Sequence, residues 1–177
     1  MKGVNLSIII PTWNTADITL KCLKTIYKFL SPDIFEIIIV DNGSTDDTVL
    51  KINKFINSLK IVNCKLKINS SNLGFSKANN IGAKQAVGQY ILFLNSDMEL
   101  IDSTILKMID YLDSHPSVGL IGPQFLDPNL TIQGSITPPQ TPVNAFKEYW
   151  LNIKNSYTKY YLNKTTSVHA LSGGAIL

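Results

Sequence analysis

Two stretches of this sequence place an acid where a buried strand runs out. One is Asn95-Ser96-Asp97, directly behind the five apolar residues Tyr90 to Leu94; the other is Asp41, behind the apolar run Phe35 to Val40. Five such residues are too few for an ordinary helix and too unbroken for a half-exposed strand, so Tyr90 to Leu94 reads as a strand covered on both faces. Open α/β sheets bind their ligands at the carboxyl ends of such strands. A lone hard carboxylate there, Asp97, suits a divalent cation that phosphate oxygens also hold. Asp41 can accept hydrogen bonds from a ribose or from a base N–H. A metal shared with a diphosphate would neutralise the charge that develops on a departing nucleoside diphosphate. The plainer reading of residues 95–97 is that they turn the chain and cap the helix after Ser103.

Other chemistries are excluded. No Gly-x-Gly-x-x-Gly follows the first strand and no Gly-Lys-Ser/Thr occurs anywhere, so neither a dinucleotide fold nor a P-loop is supported. The net charge of +3 comes from 16 basic and 13 acidic residues, with the lysines scattered singly, which argues against a nucleic-acid groove. It is compatible with a phosphate-bearing substrate, and with peripheral attraction to an anionic membrane surface. Cys22 and Cys64 sit on apolar positions of an expected helix and strand and read as core thiols of a reducing cytosol.

The 177 residues amount to one domain with a substantial core; 45% are hydrophobic and 16% charged. No apolar run approaches the about 18 residues of a membrane span. Met1-Lys2-Gly3-Val4-Asn5 leads straight into a strand and carries no signal peptide.

Strand and helix alternate along the chain. Leu6 to Ile10 is a first buried strand, ended by Pro11. Asn14 or Thr15 caps a helix with Ile18, Cys22, Leu23, Ile26, Tyr27 and Leu30 at helical spacing. Phe35 to Val40 is the second strand. The loop Asp41 to Asp47 leads into a helix with Val49, Ile52, Ile56 and Leu59 on one face. Ile61 to Ile68 is a third strand, nearer an edge. A loop through Asn72, Gly74 and Phe75 precedes a helix whose small residues Ala78, Gly82, Ala83 and Ala86 let it lie close on the sheet, ended by Gly88. The strand Tyr90 to Leu94 is followed by a helix carrying Ile105, Met108, Ile109 and Leu112, closed by His115-Pro116.

From Val118 the alternation loosens. Val118 to Ile121 and Thr131 to Ile136 read as strands around the turn Asp127-Pro128-Asn129. A proline-rich loop, 137–142, leads to a helix whose aromatic stripe, Phe146, Tyr149, Trp150 and Tyr157, fits core or lid packing. The sequence stops inside the apolar run Ala175-Ile176-Leu177, from which residues 1–177 are expected to be one nucleotide-sugar-binding domain at the front of a longer chain. Repeated strand-helix units imply a parallel sheet, which puts the loops after Ile10, Val40 and Leu94 on one edge.

At these residues the sequence resembles glycosyltransferase family 2, the inverting enzymes of the GT-A fold, and most of all bacterial rhamnosyltransferase-like enzymes that build surface polysaccharides. The matching pieces are Ile10-Pro11-Thr12-Trp13-Asn14, Val40-Asp41-Asn42-Gly43-Ser44-Thr45-Asp46, Asn72 through Gly82, Leu94-Asn95-Ser96-Asp97 and Leu171-Ser172-Gly173-Gly174-Ala175. The resemblance implies a Rossmann-like three-layer α/β/α sandwich with a mostly parallel central sheet. It implies a cytoplasmic hexosyltransferase-type enzyme at or near the inner face of the membrane. Such an enzyme passes a sugar from a UDP- or dTDP-sugar to a saccharide or lipid-linked acceptor, with Mn²⁺ or Mg²⁺ as cofactor and no nucleic acid as partner. Pro11, Thr12, Asn14, Asp41, Asn42, Gly43, Asn72, Gly74, Phe75, Asn79 and Ser96 would form the nucleotide site, with Asp41 on the base and ribose. Asp97 would be the metal ligand, and Gly173 and Gly174 would approach the donor sugar and acceptor.

Asn95 departs from the Asp often found first in the metal motif and removes one negative charge. The catalytic base of the family lies downstream of the segment matching Gly173-Gly174, hence is expected beyond Leu177; Glu99 and Asp102 are alternatives that fit a structural role better. Chain 1–177 is then expected to bind a nucleotide sugar and to be impaired in transfer. A sugar-nucleotide pyrophosphorylase would need a glycine-rich basic loop where Pro11-Thr12-Trp13-Asn14 stands. A non-catalytic nucleotide-sugar-binding module is the other alternative.

Overall fold

A computed structural model of the chain describes residues 5–177; the reading of Met1 to Val4 lies outside them. Five strands form one sheet in the order β3-β2-β1-β4-β7, comprising β1 (Leu6–Thr12), β2 (Phe35–Asp41), β3 (Cys64–Ile68), β4 (Tyr90–Leu94) and β7 (Ala175–Ile176). The first four are parallel and β7 runs antiparallel beside β4. Five helices intervene: α1 (Ala16–Phe29), α2 (Thr48–Ser58), α3 (Phe75–Ala83), α4 (Thr104–Ser114) and α5 (Pro142–Tyr149).

Alternation along the strands sorts the core into two layers. Leu6, Ile8 and Ile10 of β1 and Ile37 and Ile39 of β2 face α1, α2 and α4, meeting Leu23, Ile26, Ile52 and Met108. Ile9, Ile38 and Val40 point the other way and meet Ala78 of α3. α3 lies so close that a Cβ on Gly82 would stand 2.4 Å from Ile9 Cγ2, which accounts for the small residues in this helix. The sheet is thus sandwiched between helices on both faces.

The order of the strands has a consequence for function. The chain lays β1, β2 and β3 outward in one direction, then returns through α3 on the opposite face to place β4 on the other side of β1. The crevice between the carboxyl ends of β1 and β4 is therefore the switch point, where loops diverge and leave room for a ligand.

Several expectations need correction. β1 runs through Pro11 to Thr12. Asn42 N–H bonds Thr12 O at 2.8 Å, so Thr12 faces β2 and Pro11 faces β4, whose pairing with β1 has already ended at Ile9 and Phe93. No ladder bond is lost there. Neither Asn14 nor Thr15 caps α1 through its side chain, and Ile18 and Leu59 are exposed rather than on the buried faces. β3 begins at Cys64, not Ile61, and lies at the sheet edge. α3 stops before Gly88, whose role is close approach: a Cβ there would lie 2.6 Å from Ser7 N.

Val118 to Ile121 is not a strand, although Ile121 exchanges backbone bonds of 2.9 and 3.0 Å with Leu177. The hairpin at Asp127-Pro128-Asn129 is made instead by β5 (Phe125–Leu126) and β6 (Ile132–Gln133). Of the aromatic stripe, Phe146, Tyr149 and Trp150 are exposed and Tyr157 is half-buried; α5 ends at Tyr149 with no buried residue, so Trp150 and Tyr157 lie beyond it.

One polar residue inside the run Phe35 to Val40 organises the amino end of the sheet. Glu36 is 5% exposed and accepts from the Ser7 hydroxyl (2.8 Å), Val87 N–H (2.9 Å) and Lys65 Nζ (2.8 Å). Burial alone would raise its pKa, but Lys65, Val87 and Ser7 together outweigh burial and hold the carboxyl below its usual 4.5. Since the folded value is the lower one, Glu36 stabilises the fold fully above the unfolded value, and that contribution disappears as pH falls through the folded value. Glu36→Gln should therefore cost about 1–3 kcal/mol at neutral pH and flatten the acid limb of melting temperature against pH. An acid limb of equal slope in both proteins would rule this out.

Candidate functional site

Every member of the site stands at the carboxyl edge of the sheet or on a loop fastened to it. Thr12 and Asp41 are register partners at the ends of β1 and β2, and both are buried. The Asp41 carboxylate is sealed by its own loop: Oδ2 accepts Ser44 N–H at 3.0 Å and Oδ1 accepts the Ser44 hydroxyl at 2.5 Å. The first loop locks onto the second, because Asn14 N–H donates to Ser44 Oγ (2.9 Å) and Asn14 Oδ1 accepts Thr45 N–H (2.9 Å). Asn14 adopts φ +53, a left-handed conformation that Asn tolerates.

The loop before α3 is tied on by asparagines. Asn42 Nδ2 donates to Asn72 Oδ1 (2.8 Å), and Asn42 Oδ1 accepts from Leu73 N–H (3.0 Å) and Asn69 Nδ2 (3.2 Å). Asn72 Oδ1 also accepts Gly74 N–H, where the backbone turns at φ +85 into α3. Gly43 sits at φ +77 against the backbone of Ser71. Asn42, Gly43, Asn72 and Gly74 are thus spent on holding the two loops in contact. Asn79, one turn after Phe75, is 6% exposed; its Nδ2 donates to Phe75 O, while its Oδ1 is buried without a hydrogen-bond partner.

A chain of hydroxyls spans the switch point. Thr12 Oγ1 lies 2.8 Å from both Thr15 Oγ1 and Thr19 Oγ1, and Thr15 Oγ1 reaches Ser96 Oγ at 3.4 Å. Asn95 O accepts from Cys22 Sγ at 3.9 Å, and Thr25 Oγ1 accepts Leu100 N–H at 3.0 Å, so α1 carries both ends of the 95–100 loop. Asp97 and Glu99 project from that loop and are exposed. Burial first, then the charges of Asp97 and Glu99, push the Cys22 thiol up to about 12, which keeps it a neutral core thiol. Burial likewise raises Cys64 to about 12, and both cysteines are free.

Gly174 O accepts Asn95 N–H at 2.9 Å, which brings the segment before β7 to the acidic loop. A Cβ on Gly174 would collide with Met98, whereas Gly173 stands in open space. Beside them opens a cleft of about 620 Å³, lined by Phe75, Asn95, Met98, Phe125, Lys159 and Ser172 among others. Its lining includes no carboxylate. A second cleft, about 580 Å³, lies at the other end of β4 beside Leu177. Its one acid, Asp113, already accepts from the Tyr90 hydroxyl, and none of the three loops reaches it.

Pro11, Thr12, Asn14, Asp41 and Ser96 therefore share one rim with Asp97, and Phe75, Gly173 and Gly174 border the adjoining cleft. Among the described residues no three His, Cys, Asp or Glu side chains come together as a metal cage. Thr19, Asn69 and Lys159 were not anticipated. Thr15, Thr19 and Cys22 recur at helical spacing on one face, a polar pair on an apolar stripe that could have flagged Thr19. Lys159 carries no local signal, since it arrives only through the pairing of Ile136 with Tyr160.

Comparison with known proteins adds an independent line. The pattern of Glycosyl transferase family 2 matches residues 7–175. Poly(ribitol-phosphate) beta-N-acetylglucosaminyltransferase TarS of Staphylococcus aureus is 32% identical over 115 residues, covering 64% of this chain and 20% of that protein. A PGL/p-HBAD biosynthesis glycosyltransferase of Mycobacterium bovis is 34% identical over 123 residues, 68% of this chain and 46% of that protein. The chain thus spans less than half the length of either relative. Among solved structures, the mannosyltransferase PcManGT of Pyrobaculum calidifontis, in complex with GDP-Man and Mn²⁺, superposes with a TM-score of 0.65 at 23% identity. That match covers 71% of this chain and 36% of the other. S. aureus TarS 1-349 in complex with UDP-GlcNAc superposes at 0.59 and 23%, covering 79% and 42%. These likenesses establish the GT-A fold.

Proposed function

The chain belongs to glycosyl transferase family 2, and from that premise we propose that it moves a sugar from a UDP- or dTDP-sugar to a saccharide or lipid-linked acceptor in polysaccharide or cell-envelope synthesis, by inverting single displacement. The convergence of the β1, β2 and β4 loops at the switch point, joined through Thr15 and Ser96 beside the cleft of Gly173 and Gly174, is what supports this reading. The names of the matched relatives, both glycosyltransferases, point the same way.

In this proposal the nucleoside docks on the β1 and β2 loops. Asp41 keeps free lone pairs on both oxygens, and a base N–H or ribose hydroxyl replaces the Ser44 hydroxyl there, one donor exchanged for another. Asn79 Oδ1, buried and unpaired at a cost of about 1–3 kcal/mol, offers an acceptor whose satisfaction would favour the bound state.

The donor set fits a divalent cation only in part-solvated form: Asp97 is a single exposed carboxylate, suited to share Mn²⁺ or Mg²⁺ with diphosphate oxygens and unsuited to cage it alone. Such an ion would supply charge neutralisation to the leaving nucleoside diphosphate. Ser96 orients the loop that carries Asp97, and Gly173, without a side chain, lets the sugar and acceptor approach the backbone.

The acceptor hydroxyl must lose a proton to a carboxylate on the far face of the sugar. Asp102 is a poor base, because hydrogen bonds from Thr104 hold its carboxyl below the usual range and fix it at the start of α4. Glu99 stands on the outer loop, and the cleft lining carries no acid. We therefore place the base outside these 177 residues and expect donor binding with slow transfer. The same acid-free cleft would also serve a module that holds a nucleotide sugar without turnover.

Calorimetry with a panel of UDP- and dTDP-sugars, each with and without Mn²⁺, tests both readings. The transferase reading expects one donor to bind far more tightly with the ion than without it. Tight binding indifferent to Mn²⁺ would favour the module, and no binding of any donor would sink both.

A further inference from the structure

The cleft of about 620 Å³ beside Gly173 and Gly174 is lined by one charged side chain, Lys159, and by no carboxylate. Among the described residues, hydrogen bonds hold the ammonium groups of three lysines. Lys51 is held by Asp17 and Asp47, and Lys65 by Glu36, so the charge of each is neutralised where it stands. Lys159 differs. Its Nζ donates to a neutral group, Ser172 Oγ, at 3.2 Å, and no carboxylate of the described residues lies within ion-pair distance of it.

The backbone fixes where that ammonium stands. Tyr160 exchanges bonds of 3.0 and 3.1 Å with Ile136, and Ser172 N–H donates to Ser135 O at 2.8 Å, so Lys159 and Ser172 hang from the same segment. Gly134 makes room for the approach: a Cβ there would stand 3.1 Å from Lys159 C and O. Lys159 is thus brought beside Gly173, whose Cβ position is open space. A lysine placed in this way loses less conformational freedom on meeting a ligand than one that is free to swing.

We propose that Lys159 reads a negative charge on the acceptor: the saccharide that enters this cleft carries a phosphate or carboxylate group, which the Lys159 ammonium holds. The proposal rests on the transferase reading and narrows its acceptor to an anionic one. Phe75, Met98 and Phe125 offer apolar surface to a sugar ring, and Lys159 supplies the one charged contact that fixes its orientation. The donor's diphosphate is the other anion in reach, but it is assigned to the cation at Asp97. Lys159 makes no ion pair with Asp97 and so stands apart from that position.

The test is titration of the 177-residue chain with glucose 6-phosphate, glucuronate and glucose, followed by nuclear magnetic resonance at the amides of Ser172, Gly173 and Gly174. Both anionic sugars should bind about tenfold more tightly than glucose. Lys159→Gln should erase that preference and Lys159→Arg should keep most of it, with unchanged thermal midpoints because the side chain is exposed. No shift at these amides, equal binding of charged and neutral sugars, or a preference that survives Lys159→Gln would overturn the proposal. So would weaker UDP binding in Lys159→Gln together with displacement of glucose 6-phosphate by UDP, which would give Lys159 to the donor's diphosphate. A chain that binds a donor with Mn²⁺ but ignores sugar charge fails here alone. One that prefers the anionic sugars yet binds no donor keeps the anion site and loses the transferase reading.

Discussion

Replacing Asp97 with Ala should abolish the Mn²⁺-dependent share of donor binding and slow transfer by about 10²–10³-fold. The magnitude follows from how little negative charge the loop holds. Asn95 stands where a second acid would double the anionic ligands, and it lines the cleft as an uncharged residue. Glu99 is the remaining carboxylate near Cys22 and lies two residues farther along an exposed turn. Asp97 therefore has no understudy among the described residues of the loop. The reverse change, Asn95→Asp, should strengthen Mn²⁺ dependence about tenfold or more, since a like-charged pair at close range gains from a shared cation. Titrating the selected donor at several Mn²⁺ concentrations checks both variants. Affinity and metal dependence unchanged in Asp97→Ala would remove Asp97 from the site.

Gly43→Ala should destabilise the chain by about 2–5 kcal/mol, a large share of a typical domain's stability. Two penalties add. Gly43 has φ +77, which an L side chain adopts at a cost, and its new Cβ would lie 2.6 Å from Ser71 C and 2.7 Å from Ser71 Cα. Those atoms are backbone and cannot rotate away. The 69–74 loop would have to retreat, stretching the bonds that Asn42 makes to Asn72, Leu73 and Asn69. A fall in melting temperature of about 5–15 °C is expected, together with weaker donor binding. Gly173→Ala is the control, because nothing stands within 4 Å of its Cβ position. Equal melting temperatures for the two variants would refute this account of the loop.

The parts of the molecule that were legible in the sequence are those whose cause is local. Unbroken apolar runs gave β1, β2 and β4, although β4 is not covered on both faces as expected, since only Leu92 and Leu94 are buried while Tyr90, Ile91 and Phe93 are half-buried, and helical spacing gave α4 with Ile105, Met108, Ile109 and Leu112 all buried. The parallel sheet then followed from alternation, and with it the shared edge of the Asp41 and Asp97 loops. Legibility failed for the strands after Val118, which shorten to two residues, so that no period of two survives to be read.

By residue type and order alone, the chain determined which loops would meet and which acids they would carry, because strand direction and crossover handedness are set by short-range stereochemistry. Only the tertiary structure decided how those acids differ. Asp41 is wholly buried under Ser44 while Asp97 stands in solvent, and neither residue's neighbours in sequence distinguish the two. The same holds for Gly174 against Asn95, for Lys159 at the cleft and for an aromatic stripe left facing outward. Each depends on which distant segment fills the space beside it, a competition between contacts remote along the chain that no local pattern records.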